Sequence, residues 1–314
     1  IGLLMKKNKL TLVADIGGTN ARLALIENNF NYQKKRYFKT KDFGSFEALI
    51  SHYLQESLSS ESVDEAIFGV AAPITADRVQ FVNSPLSFSQ MSLKKNFNLK
   101  KLTVLNDLEL QAYYLMRPVK KEIQMLSKGR IIKKSGKVLV SPGTGLGLSF
   151  SLGNKVLSTE AGHLYVPSNI PKIRDLVNKF TLEFKRIPTF EDLLSSAGIV
   201  FIYQQISKST TKKNSKRILE NKTSDKFYAK TRELYIYLLA IYLRYVALIF
   251  GAKCDIYLSG SIIKSISKDL KTKAFRKEFE NSDKMKILLL STSIFIINSS
   301  DIGLKGARNY NDIL

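Results

Sequence analysis

Asp15-Ile16-Gly17-Gly18-Thr19-Asn20 and Ser141-Pro142-Gly143-Thr144-Gly145-Leu146-Gly147 each set flexible backbone directly after an apolar, strand-like run. Glycines there let the chain approach an anion closely and reach positive φ, and threonine adds a hydroxyl donor, so both segments suit the cradling of phosphate. Neither carries the Gly-Lys-Ser/Thr of a Walker loop, and neither is a GxGxxG that opens a helix. Taken singly, each reads better as an ordinary hairpin turn between buried strands. Two in one chain, both with threonine, favour phosphate.

Carboxylates are the second ingredient, because phosphoryl transfer to a hydroxyl needs a base aimed at the acceptor and a cation on the phosphates. Asp107 follows Leu102-Thr103-Val104-Leu105 and precedes a helix-like stretch. It would project from the carboxyl end of a strand, where open α/β sheets present ligands; on its own segment it reads first as a helix N-cap. Glu160 and His163, in Thr159-Glu160-Ala161-Gly162-His163, form a polar pair soon after the second glycine turn. Both can accept hydrogen bonds from a polyol. Glu191, in Phe190-Glu191-Asp192-Leu193, reads most simply as first-turn helix charge. With two histidines, His52 and His163, and one cysteine, Cys254, metal sites built from these residues have little support.

The elements that must hold these residues are α/β in pattern. Strands are expected at Leu10–Ala14, Ala21–Ile26, Ala66–Ala71, Arg78–Val82 and Leu102–Leu105, with an amphipathic helix near Phe46–Gln55. After Asp107 come a helix at Leu108–Leu115, strands near Lys137–Val140 and Leu146–Leu152, and mostly helical sequence from Ile173 to Phe250. Ser207–Lys226, rich in Lys, Ser, Thr and Asn, reads as a long exposed loop. A strand at Asp255–Ser259, a turn at Gly260-Ser261, a strand near Ile294–Ile297 and a terminal helix over Gly303–Asp312 close the chain. The change of pattern after Asp107 starts a second lobe near Leu110.

The 314 residues, 44% hydrophobic and 24% charged, are ordinary globular composition, and a lone cysteine fits a reducing compartment. No signal-peptide core with a cleavage site can be drawn ahead of Asp15. Leu234 to Phe250 is broken by Arg244 and falls short of a membrane span, so a soluble, cytoplasmic protein with no membrane partner is expected. The net charge of +22 is carried by scattered lysines, without aromatic interleaving or a helix-turn-helix pattern. It reads as a lysine-rich solvated surface that helps attract a phosphorylated nucleotide, not as a nucleic-acid site.

Taken in order, the motifs resemble the bacterial glucokinase family, of the hexokinase-like, actin-like ATPase superfamily, nearly end to end. The resemblance rests on Ala14 to Arg22, Ala72-Pro73-Ile74-Thr75 with Asp77-Arg78-Val79 and Asn83, Leu105-Asn106-Asp107, Pro142 to Gly147, Glu160 to His163, Leu258-Ser259-Gly260 and Gly303-Leu304-Lys305-Gly306-Ala307. It implies an α/β, two-lobed actin-like/hexokinase-like ATPase fold, with residues 1–109 and about 300–314 in one lobe and 110–299 in the other, an interlobe cleft that closes on sugar to exclude water, and ATP-dependent phosphorylation of glucose at its 6-hydroxyl. Asp107 would be the base, with Asn83, Asn106, Glu160, His163 and Glu191 on the other hydroxyls. Asp15 would orient Mg²⁺ through water, and backbone at Ala14, Ile16, Gly17, Gly18, Thr19, Gly143, Thr144 and Gly145 would hold the phosphates of ATP. Gly260 and Ser261 would lie near the adenosine, and a homodimer fits the resemblance.

Four positions depart from the family's pattern: Ser141, Ser196 and Ser261 stand where glycine is usual, and Leu86 where tryptophan is frequent. If the turn at Ser196 needs positive φ, serine strains it and displaces Glu191. The alternative function is a sugar-binding or regulatory protein on the same scaffold with weak or no catalysis.

Overall fold

The computed structural model describes residues 10–27, 31–59, 62–82, 84–130, 136–210, 213–220 and 226–313. The chain divides into two compact units, Ile1–Pro118 with Asp301–Leu314, and Val119–Ser300. The expected boundary near Leu110 falls inside a helix; the change of unit comes after Pro118.

The first unit is built on a five-stranded sheet. β1 (Leu10–Ile16) is buried at all seven residues and runs between β2 (Asn20–Glu27), antiparallel, and β4 (Glu65–Val70), parallel. The order is β3-β2-β1-β4-β7, with β3 at Asn31–Lys39 and β7 at Lys101–Asn106. β3 escapes the sequence reading because Asn-Tyr-Gln-Lys-Lys-Arg carries no apolar run; it is an edge strand, where lysines discourage pairing with other chains. A strand buried on both faces needs a cover on each. On one side, Leu12, Ala14 and Ile16 pack with α1 (Phe46–Ser57), whose Phe46, Leu49, Ile50 and Tyr53 recur at helical spacing behind a Ser45 cap. A short β5 (Arg78–Gln80) and β6 (Ser87–Ser89) hairpin and α2 (Gln90–Asn96) complete that side. On the other, Val13 and Ile67 pack with Leu110 of α3 (Asp107–Ala112) and with Leu304 and Ala307 of α12 (Ile302–Ile313). Gly306 makes that helix pair possible, because a Cβ there would overlap the Leu110 carbonyl.

The second unit carries a six-stranded sheet in the order β11-β10-β9-β12-β13-β8. Its strands are β8 (Ile123–Ser127), β9 (Gly136–Pro142), β10 (Leu146–Leu152), β11 (Lys155–Thr159), β12 (Cys254–Leu258) and β13 (Ile294–Ile297). The helices of this unit are α4 (Pro171–Phe184), α5 (Phe190–Leu194), α6 (Ser196–Ser207), α7 (Ser215–Leu219), α8 (Lys226–Ile249), α9 (Ser261–Ser265), α10 (Lys273–Phe279) and α11 (Lys286–Leu289). The expected loop over Ser207–Lys226 is therefore interrupted by α7, whose Ile218 and Leu219 are buried; residues 211–212 and 221–225 of it lie outside the described residues. Arg244 of α8 is buried but donates to the carbonyls of Glu278 and Asn281. Among the described residues, no helix is long and apolar enough to cross a membrane.

Candidate functional site

Both glycine segments are hairpin turns, the first joining β1 to β2 and the second β9 to β10. Gly17, Gly143 and Gly145 do not take positive φ; a Cβ would meet ordinary contact at Gly17 and open space at Gly143, and only at Gly145 would it collide, with the Glu191 carboxylate. In each turn one amide is spent internally: Gly17 N–H donates to Asn20 O at 2.9 Å, and Gly143 N–H to Gly145 O at 2.8 Å. The N–H groups of Gly18 and Thr19, and of Thr144 and Gly145, have no hydrogen-bond partner among the described residues. Adjacent amides of this kind suit phosphate oxygens.

Around the first turn, parallel register aligns the carboxyl ends of three strands: Val70 of β4 pairs with Ile16 and with Asn106. Asp15, Gly17, Ala72 and Asp107 thus emerge at one end of one sheet. Asp15 is 4% exposed, 3.2 Å from Arg22 Nη1, and also bonded to Gln111. Burial pushes its carboxyl up from the usual range, and Arg22 first, then Gln111, pull it back. Gly303 leaves room for it, since a Cβ there would overlap the Asp15 side chain.

The N-cap expected at Asp107 is instead Asn106, whose Oδ1 accepts from Leu108 N–H at 3.0 Å and Glu109 N–H at 3.3 Å. Asp107 is the first residue of α3, with Oδ1 accepting from Leu108 N–H at 2.9 Å. Asn106 Nδ2 donates to Ala72 O at 3.3 Å. Asn83 lies outside the described residues.

In the second unit, Glu191 and the turn that carries Glu160 and His163 both pack on Leu146. Glu191 Oε2 accepts from Leu146 N–H at 2.8 Å, and Gly162 sits so close that a Cβ would overlap Leu146 O. Glu160 and His163 flank that glycine in a single 3₁₀ turn, exposed, with Oε2 and Nε2 3.8 Å apart. Glu191 is held by the capping box of α5, in which Thr189 and Asp192 bond reciprocally. Gly145 could not be alanine without moving Glu191, whose Oε2 would lie 2.6 Å from the Cβ.

Parallel pairing of β9 with β12 brings Gly260 beside the same turn, where its φ of 98° and its approach to Pro142 O require glycine. Ser261 opens α9 behind it. The strain foreseen at Ser196 does not arise: Ser195 is an extended N-cap, Ser196 begins α6, and neither has positive φ. The glycine needed in that corner is Gly198, where a Cβ would overlap the Asp192 and Leu193 backbone.

Sequence reading passed over Thr40, Gln111 and the hydrogen-bonding role of Ser196. Thr40 Oγ1 donates to Gly18 O at 2.7 Å and its N–H to Thr19 O at 3.1 Å. Ser196 donates both N–H, at 2.8 Å, and Oγ, at 3.0 Å, to Gly143 O.

The two turns fit nucleotide phosphates by their paired amides. No group of three or more His, Cys, Asp or Glu suited to a metal occurs among the described residues. Asp15, already paired with a guanidinium, fits a magnesium ion that arrives on phosphates and is reached through water.

A family model described as glucokinase matches residues 12–312. The chain is 28% identical over 307 residues to the glucokinase of Neisseria meningitidis, covering 94% of this chain and 93% of that one. It is 30% identical over 317 residues to the glucokinase of Helicobacter pylori strain J99, covering 94% of each. The crystal structure of a glucokinase from an Antarctic psychrotroph superposes with a TM-score of 0.81 at 25% identity, covering 96% of this chain and 98% of that one. The likeness bears out the actin-like, hexokinase-like fold class.

Proposed function

The chain belongs to the glucokinase family, and from that premise we propose that it transfers the γ-phosphoryl group of ATP to the 6-hydroxyl of glucose with Asp107 as general base. The observation that carries the base assignment is the register of β1, β4 and β7, which sets Asp107 at the same sheet end as Asp15 and the first glycine turn. Asp107 takes the hydroxyl proton as the sugar oxygen attacks phosphorus and ADP leaves.

Asn106 reaches the hexose through Nδ2, whose bond to Ala72 is long, while Glu160, His163 and Glu191 accept from other hydroxyls. Gly18, Thr19, Thr144 and Gly145 N–H groups hold the phosphates, and Gly260 and Ser261 flank the adenosine. Magnesium supplies charge neutralisation of the transferred phosphoryl group. Asp15 would hold that ion through water.

The test is turnover of a hexose panel with MgATP, run beside Asp107→Asn. Loss of the base should lower kcat by about 10²–10⁴-fold with glucose still bound. Retained turnover would remove Asp107 from the role, and glucose binding by calorimetry without turnover of any hexose by the parent protein would favour the sugar-binding alternative.

A further inference from the structure

Ser196 and Glu191 grip opposite ends of the second glycine turn from one corner of the chain. Ser195 caps both helices that meet there: its N–H donates to Glu191 O at 3.0 Å, ending α5, and its Oγ accepts from Gly198 N–H at 3.3 Å, starting α6. Ser195 is buried. From this corner Ser196 takes the first carbonyl after β9, Gly143 O, with two donors, and Glu191 takes the amide that opens β10, Leu146 N–H.

A peptide unit is planar and trans, so its C=O and the next residue's N–H point in opposite directions. Two hydrogen bonds that fix Gly143 O therefore fix the direction of Thr144 N–H, one of the two amides the turn leaves for an anion. We infer that Ser196 is a positioning residue for the second glycine turn: its hydroxyl aims the Thr144 amide at a nucleotide phosphate. Because Ser196 shares its corner with Glu191, nucleotide affinity depends on whether hexose is bound. This rests on the assignments of the turn and of Glu191 made above. One oxygen of Glu191 serves Leu146, so a hexose hydroxyl taken by the other loads the same corner. By linkage the coupling acts equally in both directions.

Calorimetry on the full chain separates these parts. Glucose and the magnesium complex of a non-hydrolysable ATP analogue are titrated alone and together into the parent protein, Ser196→Ala, Ser196→Thr and Glu191→Gln. In Ser196→Ala the backbone bond to Gly143 O remains, so the corner still forms and one neutral hydrogen bond is lost. Nucleotide affinity should fall about three- to ten-fold. Glucose affinity measured alone should stay within about two-fold, the change in nucleotide affinity on adding glucose should shrink, and Ser196→Thr should recover both values.

Nucleotide affinity unchanged in Ser196→Ala, or a loss that Ser196→Thr reproduces, overturns the inference. Glu191→Gln tells the two layers apart. If it leaves glucose affinity untouched, the assignment of Glu191 fails and the coupling with it. If it weakens glucose while Ser196→Ala is silent, only the inference fails.

Discussion

The turn between β1 and β2 is held by Thr40, which is 1% exposed and bonds two successive carbonyls, Gly18 O and Thr19 O. The turn between β9 and β10 is held by half-buried Ser196, which spends both donors on one carbonyl, Gly143 O. Beside the first turn, Asp15 is closed in by Arg22, Gln111 and Gly303. Glu191, beside the second, shares one oxygen with a backbone amide and sits on a five-residue helix. Both hairpins present two adjacent amides, yet one is fixed by a buried frame and the other by a corner that also carries a hexose ligand in the proposed function. A phosphate grip that must be ready before substrate arrives suits the first arrangement, and one that responds to the acceptor suits the second.

Adding one methyl group on each side should break the comparison most forcefully. Gly303→Ala drives a Cβ into the buried side chain of Asp15. Stability should fall by about 1–3 kcal/mol and kcat by about 100-fold, as displaced reacting geometry commonly costs. Gly145→Ala meets only the far end of the Glu191 side chain. Its expected signature is a hexose KM raised about ten-fold, from one charge-assisted hydrogen bond lost, with little change in Tm. Thermal unfolding and steady-state kinetics on both variants decide the matter. Equal losses of stability would show that the two carboxylates are equally confined.

A smaller effect tests the charge inside the first frame. Arg22 holds the Asp15 carboxyl down against the burial that raises it. Removing the guanidinium in Arg22→Gln lets that pKa climb further, so at a given acidic pH more Asp15 is protonated and unable to orient magnesium. The deficit in kcat/KM should be largest at acid pH and shrink as pH rises. Arg22 is about one-third exposed, so its bond is worth on the order of 1 kcal/mol and the acid-side deficit about five-fold. A deficit uniform across the pH range would mean that Arg22 serves only to pack the turn.

Much of this frame was legible beforehand, and the exceptions share a cause. β1, β2, β10 and β13 announce themselves as apolar runs, and the glycine turns follow directly from them. β3 does not, because an edge strand can be charged along its length. Asp107 was placed at the right strand end, but the cap fell to Asn106 because two neighbouring side chains compete for the same amides. The clamps could not be read at all. Thr40 lies 22 residues from Gly18 and Ser196 lies 53 from Gly143, and a hydroxyl's role at that separation is set by tertiary approach rather than spacing. Gly198 shows the same limit: its need for a bare Cα comes from the Leu193 backbone pressing on it, not from φ.

The support behind the second turn's corner gives the finest test. α8 sends two phenols, seven residues apart on one helix face, toward α5. Tyr235 OH donates to Leu194 O at 2.9 Å, while Tyr242, whose ring lies 5.0 Å from that of Phe190, has a buried hydroxyl with no hydrogen-bond partner among the described residues. Tyr235→Phe orphans a buried carbonyl and should cost about 1–3 kcal/mol. Tyr242→Phe removes a hydroxyl that gains nothing in the fold, so stability should stay level or rise by up to about 1 kcal/mol. If the corner is adjustable, Tyr235→Phe should also raise hexose KM, because Leu194 anchors the helix that bears Glu191. Denaturant unfolding with hexose KM reads both. A Tyr242→Phe variant as unstable as Tyr235→Phe would mean that its hydroxyl is satisfied in solution, and that the corner is held as firmly as the frame around Asp15.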